Sequence, residues 1–411
     1  MVAKTSKGSL LYVAIVAFFC AIYILPKIKV NFGYVSITEL SMFFYLSFIY
    51  KKDGLTHIIK ILKNLLPYML LMFVVAKSFD FKMGFLHPFL TAWVMLFPAI
   101  LCINVIERNS KFEQRSIVLI SFAMICYIVF NTIKAFAETP DIMRVLTASI
   151  ITEEDRFIFN MKNIGGYGIA YGCGAIVVLL TTILRSGIEN KILRNIVILL
   201  LLYMAYLVFN AQFATLLFLT ISCTMLSISY TIENKSKKLL FVFICILIMI
   251  VLPLIFSLFI QFYNDTTVGL KLARFSTNVF ENGDLKNSSG QRSQNQFNAL
   301  TLFFHSPIWG HDIVTNSHNA IVYYASHSTV LAVLVATGII GFISYCRTYW
   351  FVVVGLYKKY MGTNKRYVPI IIYFSLFALF NPSESSDASW VIFMIVPLTY
   401  YVFDNLKVGK K

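Results

Sequence analysis

The 411-residue chain is 58% hydrophobic and 13% charged, with a mean hydropathy of +0.76, whereas about 25% of the residues of a soluble domain are charged. This composition excludes an ordinary soluble globular protein and fits a polytopic membrane protein, whose length counts apolar spans rather than soluble domains. The formal charge of +16 does not indicate nucleic acid. The excess of Lys and Arg falls on short loops predicted to face the cytoplasm, including Lys51, Lys52, Lys235, Lys237, Lys238, Lys358 and Lys359, as membrane topology requires. In the outer loops, acids such as Glu153, Glu154 and Asp155 balance the bases.

Apolar runs bounded by charge predict an all-α bundle of about twelve transmembrane helices forming one integral membrane domain, residues 1–411. The first two spans are 10–26 and 32–50, and Glu39 inside the second is a secondary functional candidate because intramembrane carboxylates are costly. Spans 61–76 and 85–106 lead to an inner loop with Arg108, Lys111 and Arg115, and span 116–136 brings the chain outside. A second outer loop, 137–163, holds Arg144, Arg156 and Lys162. The sixth span opens at Ile164 with Gly165 and Gly166, and Gly168 and Gly172 share a helical face suited to close packing. Residues 195–209 and 213–230 read as a helical pair turning at Asn210, Ala211 and Gln212, and 239–260 is a ninth span. The long extracytoplasmic loop, 261–327, follows, with short helices expected in it. A tilted or kinked span over 328–357, then 367–380 and 389–403, completes the bundle with both termini cytoplasmic. All seven cysteines lie in apolar runs and read as small buried hydrophobes, neither disulfides nor metal ligands.

The long loop concentrates the polar chemistry, holding four of the six histidines (His305, His311, His318, His327) together with Lys271, Arg274, Lys286 and Arg292. The histidine spacings of six, seven and nine residues match no compact zinc motif, so no metal site and no cofactor is expected. Residues 293–304 predict an amphipathic helix with Phe297, Leu300, Phe303 and Phe304 on one side, ended by Pro307 and Gly310 and lying at the membrane interface. If the next helix begins near His318, then His327, Leu331, Leu334, Gly338 and Gly341 share a face and His327 points into the bundle. Arg292, following Ser288, Ser289 and Gly290, reads as a loop residue placed to meet an anion, and His327 as a base, hydrogen-bond donor or charge stabiliser.

Ser289-Gly290-Gln291-Arg292, His305-Ser306-Pro307-Ile308-Trp309-Gly310, His327-Ser328 and Thr337-Gly338-Ile339-Ile340-Gly341 follow one another in this order. In order and topology they resemble the signature of the O-antigen polymerase and O-antigen ligase superfamily. The resemblance implies a metal-independent glycosyltransferase on the outer membrane face, using sugars linked to undecaprenyl diphosphate. With a mechanism of that kind, arginines to hold the leaving diphosphate and a histidine to deprotonate the acceptor hydroxyl, Arg292, Arg156 and His327 are the expected catalytic residues, and Arg274, His318 and Tyr323 the expected substrate-binding residues. The implied partners are the lipid-linked oligosaccharide, membrane lipid, a flippase and a chain-length regulator. Ala211 and Gln212 stand where many ligases carry a Ser-Arg pair, and Arg156 followed by Gly165 and Gly166 is similar to the outer-loop pattern of polymerases. A repeat-unit polymerase is therefore the expected function, with a ligase as its nearest rival and a lipid-linked oligosaccharide flippase as the rival of another class.

Overall fold

The computed structural model describes residues 7–32, 41, 52–75, 87–138, 142, 152–211, 213–230, 288–310, 328–351, 367–380 and 386–408, with single positions between 232 and 243. The described residues are helical, with no strand among them. In chain order the helices are α1 (Lys7–Ile24), α2 (Pro26–Phe32), α3 (Lys52–Val75), α4 (His87–Glu107), α5 (Lys111–Glu138), α6 (Glu153–Met161), α7 (Tyr167–Arg185), α8 (Lys191–Asn210), α9 (Ala214–Tyr230), α10 (Ser288–His305), α11 (Thr329–Tyr349), α12 (Val368–Phe380), α13 (Ser386–Trp390) and α14 (Val396–Val408). A π-turn, Val391–Ile395, makes α13 and α14 one continuous element. Five of these elements are long and apolar enough to cross a membrane: α5, α7, α8, α11 and residues 386–403; shorter apolar helices lie in α1, α4, α9 and α12. Most of the predicted spans 32–50 and 239–260, and with them Glu39, fall outside the described residues.

The helix α7 is the hub. Its apolar window is 89% buried, and α8, α9, α12, the π-turn, α13 and α14 all pack on it. Small residues permit this approach. A Cβ on Gly172 would meet the Val391 side chain at 2.9 Å, and one on Gly174 would collide with the Tyr373 hydroxyl and come within 2.6 Å of Thr220 Oγ1. Tyr373 spends that hydroxyl on the Tyr171 carbonyl, donating at 2.8 Å. The α8 and α9 helices pack more extensively on α7 than on each other, so the expected helical pair is organised by a third helix. Gly165 and Gly166 precede α7, and Gly165 N donates to Thr132 Oγ1 at 2.8 Å.

The periphery inverts the pattern of a soluble protein. Leu119 on α5 and Leu199 on α8 are 69% and 67% exposed, and Phe130, Ile192, Ile196 and Leu202 are exposed with them. Such an apolar outer belt suits contact with hydrocarbon and is far too large for water. Of the cysteines, Cys20, Cys102, Cys173 and Cys223 are buried, whereas Cys346 is exposed on the surface of α11; Cys245 lies outside the described residues.

At one end of the bundle Arg108, just past α4, holds the buried carboxylate of Glu113 with two hydrogen bonds, from Nε at 2.7 Å and Nη2 at 2.9 Å. Its guanidinium also lies 3.9 Å above the Tyr12 ring. Such forked geometry is the strongest form of ion pair, and it ties the start of α1 to the turn between α4 and α5. Arg108, read from the sequence as an inner-loop charge, is thus a structural clamp.

The most extensive contact between helices joins α11 to α3, where Pro67 interrupts the hydrogen-bond ladder of α3. There Ser344 of α11 bridges the gap: its hydroxyl donates to the Asn64 carbonyl and accepts from Tyr68 N. Ser344→Ala leaves both backbone groups without that bridge, and the expected loss is about 1–3 kcal/mol. Ser375 on α12 is exposed and donates only to the Ile371 carbonyl of its own helix. Thermal unfolding of the detergent-purified protein is expected to show a lowered Tm for Ser344→Ala and a wild-type Tm for Ser375→Ala.

Candidate functional site

Two assemblies carry the residues singled out in the sequence. The first is built by α10 and α11. The α10 helix starts at Ser288, five residues before the predicted start, and takes Arg292 into its second turn rather than leaving it in a loop. Ser288, Ser289 and Gly290 have weak helix propensity, but the helix is held by packing of Ala299, Leu302 and Phe303 against Leu331, Ala332 and Val335 of α11, and tertiary packing outweighs propensity. Arg292 precedes Ala299 by seven residues, so helical register sets its Cα on the side that meets α11. The apolar face expected as one stripe is split: Phe303 packs inward, while Phe297, Leu300 and Phe304 are exposed on the opposite side.

Beyond α10 the chain turns through His305-Ser306-Pro307-Ile308-Trp309-Gly310. Ser306 N donates to the Phe303 carbonyl at 3.1 Å and Gly310 N to the Ser306 carbonyl at 3.0 Å. This turn docks, backbone to backbone, on a break in α11. Gly338 leaves the helical conformation there, with φ 59° and ψ −163°. The Ile339 amide donates instead to the Pro307 carbonyl at 2.8 Å.

The approach tolerates no side chain. A Cβ on Gly310, where φ is +86°, would run into the Ala336 carbonyl and lie 2.6 Å from Thr337 N. One on Gly338 would run into the Ile308 carbonyl and lie 2.7 Å from Gly310 N. Thr337 donates its hydroxyl to the Val333 carbonyl at 2.8 Å, and Gly341 leaves room for the Thr337 side chain. Two stretches read separately in the sequence therefore form one clasp, with α10 fixed on one side of it.

The helical register from which His327 was oriented stops at Ser328. Ser328 is extended (φ −154°, ψ 114°) and caps α11, accepting from Leu331 N at 3.2 Å, so the helix begins at Thr329 and not near His318. The face drawn through His327, Leu331, Leu334, Gly338 and Gly341 is interrupted at Ser328 and again at Gly338. His327 itself, with Arg274, His311, His318 and Tyr323, lies outside the described residues. His305 is exposed at the end of α10.

The second assembly sits at the bundle end opposite Arg108 and gathers three connections. In the loop predicted over 137–163, Thr152 caps α6 by accepting from Asp155 N at 3.1 Å, and the acidic first turn suits the positive helix end. Arg156, on this helix, is exposed. The α6 helix packs on α2. Asn163, in the left-handed region at φ 53°, accepts from Lys27 N through Oδ1 at 3.1 Å.

Lys29 of α2 meets Asp387 of α13 at 3.6 Å, with the two side chains only 11% and 13% exposed. Burial holds the Lys29 ammonium below the usual lysine value, although Asp387 pulls the other way. Neither residue was singled out by the sequence reading, which ended the preceding span before Asp387. The signal present was a lysine retained in a predicted outer turn and an acid beside the last span. Rings of Tyr167, Tyr171, Phe213 and Phe377 stack nearby at this end, with Tyr171 and Phe377 4.4 Å apart.

Arg156 and Arg292 stand on helices with different principal neighbours, α2 for α6 and α11 for α10. They belong to separate assemblies within the described residues.

The clasp yields a graded test. Gly187 has φ +83° but open space around a Cβ, and Gly166 has open space without positive φ. Gly166→Ala is expected to leave the Tm unchanged, and Gly187→Ala to cost about 1–2 kcal/mol from backbone strain alone. Gly310→Ala and Gly338→Ala are expected to cost more than either, measured by thermal unfolding. Comparison with models of known protein families finds no match, and comparison with curated proteins finds none either.

Proposed function

We propose that this chain is a polysaccharide repeat-unit polymerase of the cell membrane, with about twelve spans, cytoplasmic termini and its site on the outer face. It transfers a glycan from undecaprenyl diphosphate to a sugar hydroxyl of another lipid-linked unit. The observation that carries this reading is the clasp. The His305–Gly310 turn and the Thr337–Gly341 stretch, both part of the resemblance to the O-antigen polymerase and ligase superfamily, are joined there by backbone contacts and position the helix of Arg292.

In the proposed transfer, the acceptor hydroxyl gives its proton to His327 and its oxygen bonds to the anomeric carbon. The bond from that carbon to the diphosphate oxygen breaks, and the lipid diphosphate leaves with the electron pair. Arginine suits that leaving group, because its planar fork holds phosphate oxygens bidentately and stays charged. Arg292 and Arg156 take this role, with Arg274 in reserve, and His318 and Tyr323 contact the sugar. Stabilising the developing charge is the larger requirement, and preorganised donors meet it best. A helix clamped as α10 is provides such preorganisation. The exposed Phe297, Leu300 and Phe304 give α10 a second apolar side suited to the interfacial depth at which a polyprenyl chain is met. A flippase supplying lipid-linked units and a chain-length regulator are the partners this reaction calls for.

Deleting the gene is expected to leave single repeat units on the cell surface. Long chains accumulating on the carrier lipid would identify a ligase instead, lipid-linked units retained on the inner leaflet a flippase, and unchanged chain length would refute the polymerase. Arg292→Ala and His327→Ala are expected to lower transfer at least about a hundredfold with the protein still in the membrane, and activity is expected to persist in chelator.

A further inference from the structure

Two ion pairs among the described residues differ in build. Arg108 and Glu113 meet at 2.7 Å in forked geometry, with Glu113 only 1% exposed, and such a pair clamps. Lys29 and Asp387 meet at 3.6 Å, a longer approach by a single nitrogen between side chains nearly as buried. A buried pair of that kind contributes little to stability, since desolvation offsets most of its attraction.

Its location is also informative. It lies where α2, the segment after α6 and the start of α13 converge, on the same side of the bundle as Arg156. Lysine is disfavoured in the outer turns of membrane proteins. Asp387 lies in the first turn of an element that runs to Val408 and accepts from Ala388 N at 3.2 Å. The positive helix end therefore compensates its charge as well, and Asp387 does not rely on Lys29 alone. Lys29 is a point charge with three donors on a four-carbon stem, able to change partners by rotation.

We propose that Lys29 is a ligand for the diphosphate of the prenyl-linked substrate, with Asp387 as the counter-ion that holds its ammonium in place until the diphosphate arrives. This assignment rests on the polymerase reading and adds a cation to the site that the sequence did not single out. No covalent step is assigned to either residue. On binding, the ammonium exchanges one carboxylate for phosphate oxygens, and in a largely desolvated setting that exchange favours the more highly charged partner.

The test is titration of the purified full chain in detergent with farnesyl diphosphate, a short prenyl diphosphate, followed by competition with inorganic pyrophosphate. Lys29→Met is expected to weaken binding at least about tenfold, and Lys29→Arg to retain most of it. Asp387→Asn is expected to bind as tightly as wild type or more tightly, because the competing carboxylate is gone. Pyrophosphate is expected to displace the lipid.

Wild-type affinity in Lys29→Met, or equal loss in Lys29→Met and Asp387→Asn, overturns the assignment, as does failure of pyrophosphate to compete. Absence of binding by the wild-type protein overturns the lipid-diphosphate reading itself. If a single variant does not fold, Lys29→Met with Asp387→Leu removes both charges together. That double variant is expected to show the loss seen for Lys29→Met, and wild-type affinity in it counts against the proposal.

Discussion

Backbone amides and carbonyls inside an apolar bundle have no water to turn to, so every interruption of a helix must be filled by a neighbour. Two interruptions in this chain are filled in series. Pro67 breaks the ladder of α3 and Ser344 of α11 bridges it; Gly338 breaks α11 and the Pro307 carbonyl beyond α10 meets the stranded Ile339 amide. Each helix in the row supplies what the next one lacks. The row ends on α10, so the position of Arg292 depends on groups that are chemically unremarkable and lie far from it in sequence.

Helix existence and the apolar character of the bundle were legible in the sequence because both follow from run length and hydropathy. The run over 367–380, for instance, reappears as Val368–Phe380. Boundaries set by tertiary contact were not legible. Ser288 to Arg292 read as loop by propensity and became helix because residues farther along pack on α11. The helix expected from near His318 gives way at Ser328 for a local reason, since the Ser328 hydroxyl caps α11 there. Periodicity assumes an unbroken helix, and nothing in the spacing of Gly338 and Gly341 distinguishes a packed face from a break.

The candidate site was legible in parts. Gly310 and Gly338 stood in recognised stretches, yet their mutual contact is a matter of two positive φ angles and an absent Cβ on each side. Lys29 and Asp387 are more than three hundred residues apart, and pairing at that distance leaves no local pattern. Arg156 was visible as a charge but not as part of a capped helix docked on α2.

The break at Gly338 has a mechanical meaning as well. Residues 329–337 pack on α10 through the apolar contacts of Val335 and Leu331, whereas residues beyond the break are tied to α3 through Ser344. A continuous helix would carry any displacement of one half into the other like a rod. Here the rod is interrupted, and the turn beyond α10 spans the interruption by bonding Ile339 on its far side, so the helix that bears the arginine is braced against both halves at once.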